Sequence, residues 1–183
     1  LPAVKKPVQT FDDKTSKNIL SLLDNMPHGV IRMWDKTIPK TSCNLAIIRT
    51  EKNHISITSS CRSFSQKENE KSVAQVKALF EKYAFKARLL SGYVAWEPEP
   101  RNSVLVKSAV DTYKKLFHKT PKALPMHAGL ECGVIKAKYP GLQAISMGPN
   151  IKNPHSPDER IEIKSIENTW IFLKELLNQR GSK

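Results

Sequence analysis

Near the middle of the chain stands Glu97-Pro98-Glu99-Pro100, and neither a helix nor a central strand runs through it. Each proline removes a backbone donor and fixes φ, and each pushes the residue before it out of the helical region. The segment is therefore read as a domain boundary, with 1–96 on one side and 97–183 on the other. The apolar rhythm differs across it. On the first side, Ile19, Leu20, Leu22, Leu23 and Met26 recur at helical spacing over 17–26. Ser16 or Thr15 is the expected cap of that helix and Pro27 its stop. A short strand is expected at 29–34. The runs 43–49 and 54–61 read as a hairpin, because Ile55 and Ile57 alternate with Ser56 and Thr58. Val73, Val76, Leu79, Phe80 and Tyr83 mark one face of a helix over 68–83, and 88–96 reads as a strand.

On the second side, Val106, Val110, Tyr113, Leu116 and Phe117 mark a helix over 104–117. A short strand at 122–126 leads into the glycine-bracketed turn 128–133 and a helix to about 138. A buried-type strand at 142–147, a loop at 148–160 and a closing amphipathic helix at 163–177 follow. This order of helix, strand, helix, strand, helix predicts an α/β layer behind an α+β first half.

Composition narrows the function classes. No apolar run approaches the ~20 residues needed to cross a bilayer, and no signal-type stretch follows Leu1-Pro2-Ala3-Val4-Lys5-Lys6. The chain begins without Met, as an excised or processed segment would. Three cysteines, Cys43, Cys61 and Cys132, are an odd and sparse set, which favours packed thiols in a reducing compartment. The formal charge of +13 raises nucleic-acid binding as a class. The lysines are dispersed, however, and no zinc finger, RNA-binding sheet signature or basic arm is present, so that class is disfavoured. The charge equally suits an offset for acidic residues on a missing portion of a larger protein.

Two loops carry residues fit for chemistry. In Met126-His127-Ala128-Gly129-Leu130-Glu131-Cys132-Gly133 a strand opens into a helix, where free N–H groups favour an anion and Gly129 allows close backbone approach. The same turn is also read as an ordinary glycine-rich connection around a packed histidine. His127 and Glu131, four apart, would share a helix face, and two ligands do not make a metal site. Cys132 lacks an identifiable partner for nucleophilic work. The second loop contains Pro154-His155-Ser156-Pro157-Asp158-Glu159-Arg160. A histidine on a proline-stiffened loop with acids nearby suits a metal ligand, with Asp158 or Glu159 orienting the imidazole. The alternative is a capping loop in which Ser156 or Asp158 starts the last helix. Arg62, at the end of a strand, suits bidentate capture of a carboxylate or simple solvation.

Together, His127-Ala128-Gly129-Leu130-Glu131-Cys132-Gly133, Gly148-Pro149 and His155-Ser156-Pro157-Asp158-Glu159-Arg160 resemble the late motifs of cytosolic aminoacyl-histidine dipeptidases. These belong to the co-catalytic zinc peptidases that include carboxypeptidase G and carnosinase. Met26-Pro27-His28-Gly29-Val30 and Thr41-Ser42-Cys43-Asn44-Leu45-Ala46 are similar to features of their inserted lid domain. The resemblance implies that 1–96 is the latter part of the lid and 97–183 the C-terminal α/β segment of the catalytic domain. It implies His155 as a zinc ligand, Gly129 and Arg62 as contacts to substrate, and Asp158 and Glu159 as support for the loop.

It also implies what is missing. The family's His-x-Asp motif, bridging aspartate, Glu-Glu pair and next zinc aspartate precede the lid, and none of that region is in this sequence. No catalytic residue is therefore expected within this chain. The two zincs of the parent site are not expected to bind it tightly, and the missing N-terminal part is its implied partner. Dipeptide substrate, a homo-oligomer and a cytoplasmic location are implied likewise. The competing reading is a truncated, non-enzymatic relative that mediates protein association. A fragment cut from a shared sheet is expected to leave apolar surface uncovered, and so to oligomerise or to pack its halves together.

Overall fold

The computed structural model describes residues 10–52, 54–90, 92, 94–126 and 128–181. The chain separates into two compact units, Leu1–Ala95 and Trp96–Lys183. Among the described residues there are five helices and two antiparallel sheets.

The first unit begins with α1 (Asp13–Asn25). Its cap is Asp12, ahead of the expected Ser16 or Thr15. One Asp12 carboxylate oxygen accepts the Thr15 N–H at 2.9 Å and the other accepts the Thr15 hydroxyl at 2.7 Å. That backbone bond holds the Asp12 carboxyl below the usual carboxylate range. Ile19, Leu22 and Met26 are its buried contribution.

Strands β1 (Gly29–Met33), β2 (Pro39–Thr50) and β3 (Ile55–Ser63) follow and pair antiparallel in the order β1-β2-β3. Gly29 enters β1 at φ +88, a conformation that a side chain would resist. Asp35 closes the β1–β2 turn, its Oδ1 accepting the N–H groups of Thr37 and Ile38 at 2.7 and 2.8 Å. The β2–β3 register is irregular at one point: Leu45 faces Ser59 and Ile47 faces Thr58, which leaves Ala46 as an extra residue.

Helix α2 (Gln66–Lys82) packs on β2 and β3. Phe64 is buried here beside polar or sulfur-bearing residues: Thr41, Cys43, Cys61, Ser63, Asn69 and Ser72. The Thr41 and Ser63 hydroxyls are 3.0 Å apart. Thr41 donates at 2.9 Å to Glu68, whose carboxylate also receives Lys40 at 2.7 Å and Arg32 at 3.0 Å. These bonds hold the Glu68 carboxyl below its ordinary value, the Lys40 bond most of all.

The second unit is built on α3 (Val104–Phe117) and α5 (Ile163–Gly181). Ser103 caps α3, and His118 ends it in the left-handed region at φ 54. Ala109, Phe172 and Leu176 form the core, with Tyr113, Leu116, Phe117 and Ile145 against it. Tyr113 meets the Phe172 ring edge-on at 5.4 Å between centroids. Thr112, buried between the helices, donates to the Ser108 carbonyl and meets Gln179 Oε1 at 3.0 Å. Helix α4 (Glu131–Lys138) is tied by Lys136 to Glu99, whose side chain is 7% exposed and also accepts the Ala144 N–H. The second sheet is a two-residue ladder, β4 (Ile151–Lys152) with β5 (Arg160–Ile161).

Three expected strands are not formed. The described residues of 88–96, and the runs 122–126 and 142–147, have no ladder partner. An apolar run becomes a strand only when a neighbouring strand takes its N–H and C=O groups, and none does here. Leu124, Met126, Leu142 and Met147 are exposed along two of these runs. Of the expected layer, then, the helices and one small antiparallel sheet are present. The chain is mixed α/β, without a parallel sheet among the described residues.

Candidate functional site

The loop that carries His155 is built from its base upward. Asn150 anchors it to the start of α5: its N–H donates to Ser165 Oγ at 2.8 Å and its side-chain amide to Glu162 at 2.9 Å. The Glu162 N–H returns to the Asn150 carbonyl at 3.0 Å. Ile151 and Lys152 then pair with Ile161 and Arg160, so both arms leave the helix as a short antiparallel stem. At the tip, Asn153 and His155 both lie in the left-handed region, at φ 51 and 64. Two such residues without glycine store backbone strain that the surrounding bonds must hold. Ser156 Oγ donates to the Asn153 carbonyl at 2.9 Å, and the Glu159 N–H donates to the Ser156 carbonyl at 3.0 Å. The Glu159 carboxylate accepts the His155 backbone N–H at 2.6 Å. The side chain of His155 is exposed.

Glu159 thus grips the main chain of His155, where sequence reasoning had it orienting the imidazole. Asp158 enters through its N–H, which donates to Ser156 Oγ at 3.3 Å. Neither Ser156 nor Asp158 caps α5, which begins at Ile163, beyond the stem.

Gly129 is exposed immediately before Leu130, the N-cap residue of α4, where no side chain caps the helix. The Gly133 N–H in the first turn of α4 donates to the Leu130 carbonyl at 3.0 Å, and no capping side chain supplies an acceptor to the N–H groups before it. His127 lies outside the described residues, so its expected pairing with Glu131 has no structural description. Cys132 packs in α4 with its sulfur 3.9 Å from the Ile145 carbonyl oxygen. Arg62 belongs to the other unit, exposed on β3 opposite Ser42.

Among the described residues, no three His, Cys, Asp or Glu side chains converge so as to hold a metal ion. A cavity of about 310 Å³ lies in the second unit between α3, α5 and the 145–150 segment. Val106, Phe117, Ile145 and Phe172 line it, and neither His155 nor Gly129 does. Sequence reasoning missed the Asn150 anchor, the Glu68 hub and the juxtaposition of Cys43 with Cys61. Only the last left a signal, since both cysteines lie on the two arms of a predicted hairpin.

The model of peptidase family M20/M25/M40 matches residues 15–179. The cytosol non-specific dipeptidase of Escherichia coli (strain K12) is 35% identical over 172 residues, which cover 93% of this chain and 35% of that protein. The crystal structure of the aminoacylhistidine dipeptidase from Vibrio alginolyticus superposes with a TM-score of 0.79 at 29% identity, over 96% of this chain and 36% of that one. The aminopeptidase PepT from Bacillus cereus ATCC 10987 shares the fold, with a TM-score of 0.71 at 20% identity over 88% of this chain and 44% of that one. The chain spans about a third of the length of the curated relative it matches. With the family match running from the first helix into the last, this chain belongs to peptidase family M20/M25/M40.

Proposed function

We propose that this chain is the C-terminal part of a zinc-dependent dipeptidase acting on dipeptides such as Xaa-His. Its contribution is one metal ligand, His155, part of the pocket for the substrate's carboxylate, at Gly129, and a contact to substrate from Arg62. Leu1–Ala95 is read as the latter part of a lid and Trp96–Lys183 as the last segment of the catalytic domain. The observation that carries the reading is the His155 loop. An exposed imidazole sits on a strained tip, and Asn150, Ser156 and Glu159 hold that tip's backbone. Fixing a ligand in advance removes the ordering cost from binding.

The described residues do not by themselves fit a catalytic zinc, which takes about three protein ligands and an open position. No catalytic step is therefore assigned to this chain. The remaining donors and the general base are expected on the part of the parent that this chain does not span. The cytoplasmic location is carried over from the name of the Escherichia coli relative. Among the described residues, no helix is long and apolar enough to cross a membrane. A homo-oligomer is favoured by Val30, Ile31 and Met33, which are exposed on the edge strand β1.

The test is zinc titration by calorimetry into this chain and into His155→Ala, with dipeptide hydrolysis on the same samples. Weak binding and no turnover are expected. Tight, His155-dependent binding with turnover would mean that a complete site assembles from this sequence alone, and the reading would fail.

A further inference from the structure

Cys43 and Cys61 stand directly opposite one another on β2 and β3. Both are buried, and their sulfur atoms are 2.9 Å apart. Antiparallel pairing sets opposed Cα atoms about 4.5–5.5 Å apart, inside the roughly 4.4–6.8 Å range that a disulfide spans. Joining the two sulfurs therefore asks for side-chain rotation and no change of register. All three cysteines are free thiols, and Cys132 belongs to the other unit, packed against the Ile145 carbonyl.

We propose that Cys43 and Cys61 are a reversible redox pair, closed to a cross-strand disulfide by a hydroperoxide. The chemistry balances in two steps. A thiolate sulfur attacks one peroxide oxygen, the O–O bond breaks, and hydroxide leaves with the electron pair, which makes a sulfenic acid. The neighbouring thiol attacks that sulfur, the S–S bond forms, the S–O bond breaks, and the leaving hydroxyl takes the thiol's proton to depart as water. Two thiols and one hydrogen peroxide become one disulfide and two waters.

The electrostatics suit this order. The hydrogen bond between the two sulfurs draws the Cys43 thiol below its usual range. The same bond, then burial and the charge on Cys43, push the Cys61 thiol up. The two thiols therefore titrate as a pair that gives up its first proton more readily than its second. The bond would staple the hairpin across residues 18 apart and fix the strand end that carries Arg62. Burial on the helix-covered face excludes bulky disulfides better than it excludes peroxide.

The reduced, folded chain is treated with hydrogen peroxide, alkylated and mapped by mass spectrometry. We expect a loss of two hydrogens, a peptide linking Cys43 to Cys61, an alkylated Cys132, and return of both thiols on adding dithiothreitol. Cys132→Ser, which keeps the pair, should give the same cross-link, and the oxidised chain should melt at a higher temperature than the reduced one. Oxygen adducts without a cross-link would overturn the proposal. So would linkage through Cys132, or an unreacted pair in a chain whose Cys132 is already oxidised.

Discussion

Among the described residues of Leu1–Ala95, β1, β2 and β3 pair with one another while those of 88–95 find no ladder partner, and α2 packs on β2 and β3 over a buried set that mixes Thr41, Cys43, Cys61, Ser63, Asn69 and Ser72 with Phe64. In Trp96–Lys183 the helices α3 and α5 make a core around Phe172, while the runs 122–126 and 142–147 have no ladder. The two units thus solve the same problem, burial of apolar surface without stranding polar backbone, to different degrees. The first adds a paired sheet and the bonds of Glu68 to its buried Ile19, Leu22, Met26 and Phe64, whereas the second rests mainly on the apolar contacts of α3 with α5. A helix satisfies its own backbone and survives as a piece, whereas a strand needs a neighbour to exist at all.

The sharpest way to break the comparison is Phe172→Ala. Truncating a buried Phe costs about 3–5 kcal/mol, and here it empties the middle of the α3–α5 core. Amide exchange should accelerate through the second unit and stay slow in β2 and β3. Equal loss in both units would mean that they are not separately held.

Next in size is Thr41→Val in the first unit, which leaves the Ser63 hydroxyl and one Glu68 oxygen without their buried partner, at a cost of about 1–3 kcal/mol. Urea unfolding followed by Trp34, which packs edge-on against Phe64, reads it out. A cost near zero would remove the polar interface from the account.

A smaller effect comes from acid. The Glu68 carboxyl is held below its ordinary value of 4.5 by the Lys40 bond first, then by Thr41 and the charges of Lys40 and Arg32. A depressed carboxyl binds fewer protons folded than unfolded. Its contribution is therefore present above pH 4.5 and is lost as pH falls through the folded value. These partners are partly solvated, so the loss is below about 1 kcal/mol. Glu68→Gln should flatten the stability of the first unit across that window, and an unchanged slope would assign the acid response elsewhere.

Smallest is Asn153→Gly. Glycine accepts the left-handed conformation freely, so the melting temperature of the second unit should change little, by less than about 1 kcal/mol in free energy. A large loss would show that the Asn153 side chain, and not the backbone bonds, holds the loop.

Much of this comparison was legible in the residues. Val106, Tyr113 and Phe117 fall on one helical face, and the Ile55/Ile57 alternation announced the hairpin. The start of α1 was not, because its cap, Asp12, stands several residues ahead of the first buried apolar side chain, Ile19. The unformed strands were misread for a physical reason: an apolar run shows burial, and a ladder also requires a partner that local sequence does not encode.

At the site, Pro154 and Pro157 drew attention to the loop around His155, but not to its backbone conformation. A residue before proline is normally extended, yet Asn153 adopts φ 51. What overrides the local preference is the Ser156 bond to the Asn153 carbonyl and the Glu159 bond to the His155 N–H. Those bonds are visible only once the loop is closed.

The extra residue on β2 has a consequence for how this hairpin can vary in length. Ala46 has no partner on β3, while Leu45 and Ile47 face the adjacent residues Ser59 and Thr58. Removing Ala46 would leave each of those pairings as it stands and would only straighten the strand. Removing Cys43 or Ile48 would instead shift every pairing beyond it to the opposite face. Position 46 is thus a tolerant point for insertion or deletion within a sheet that is elsewhere locked to its count.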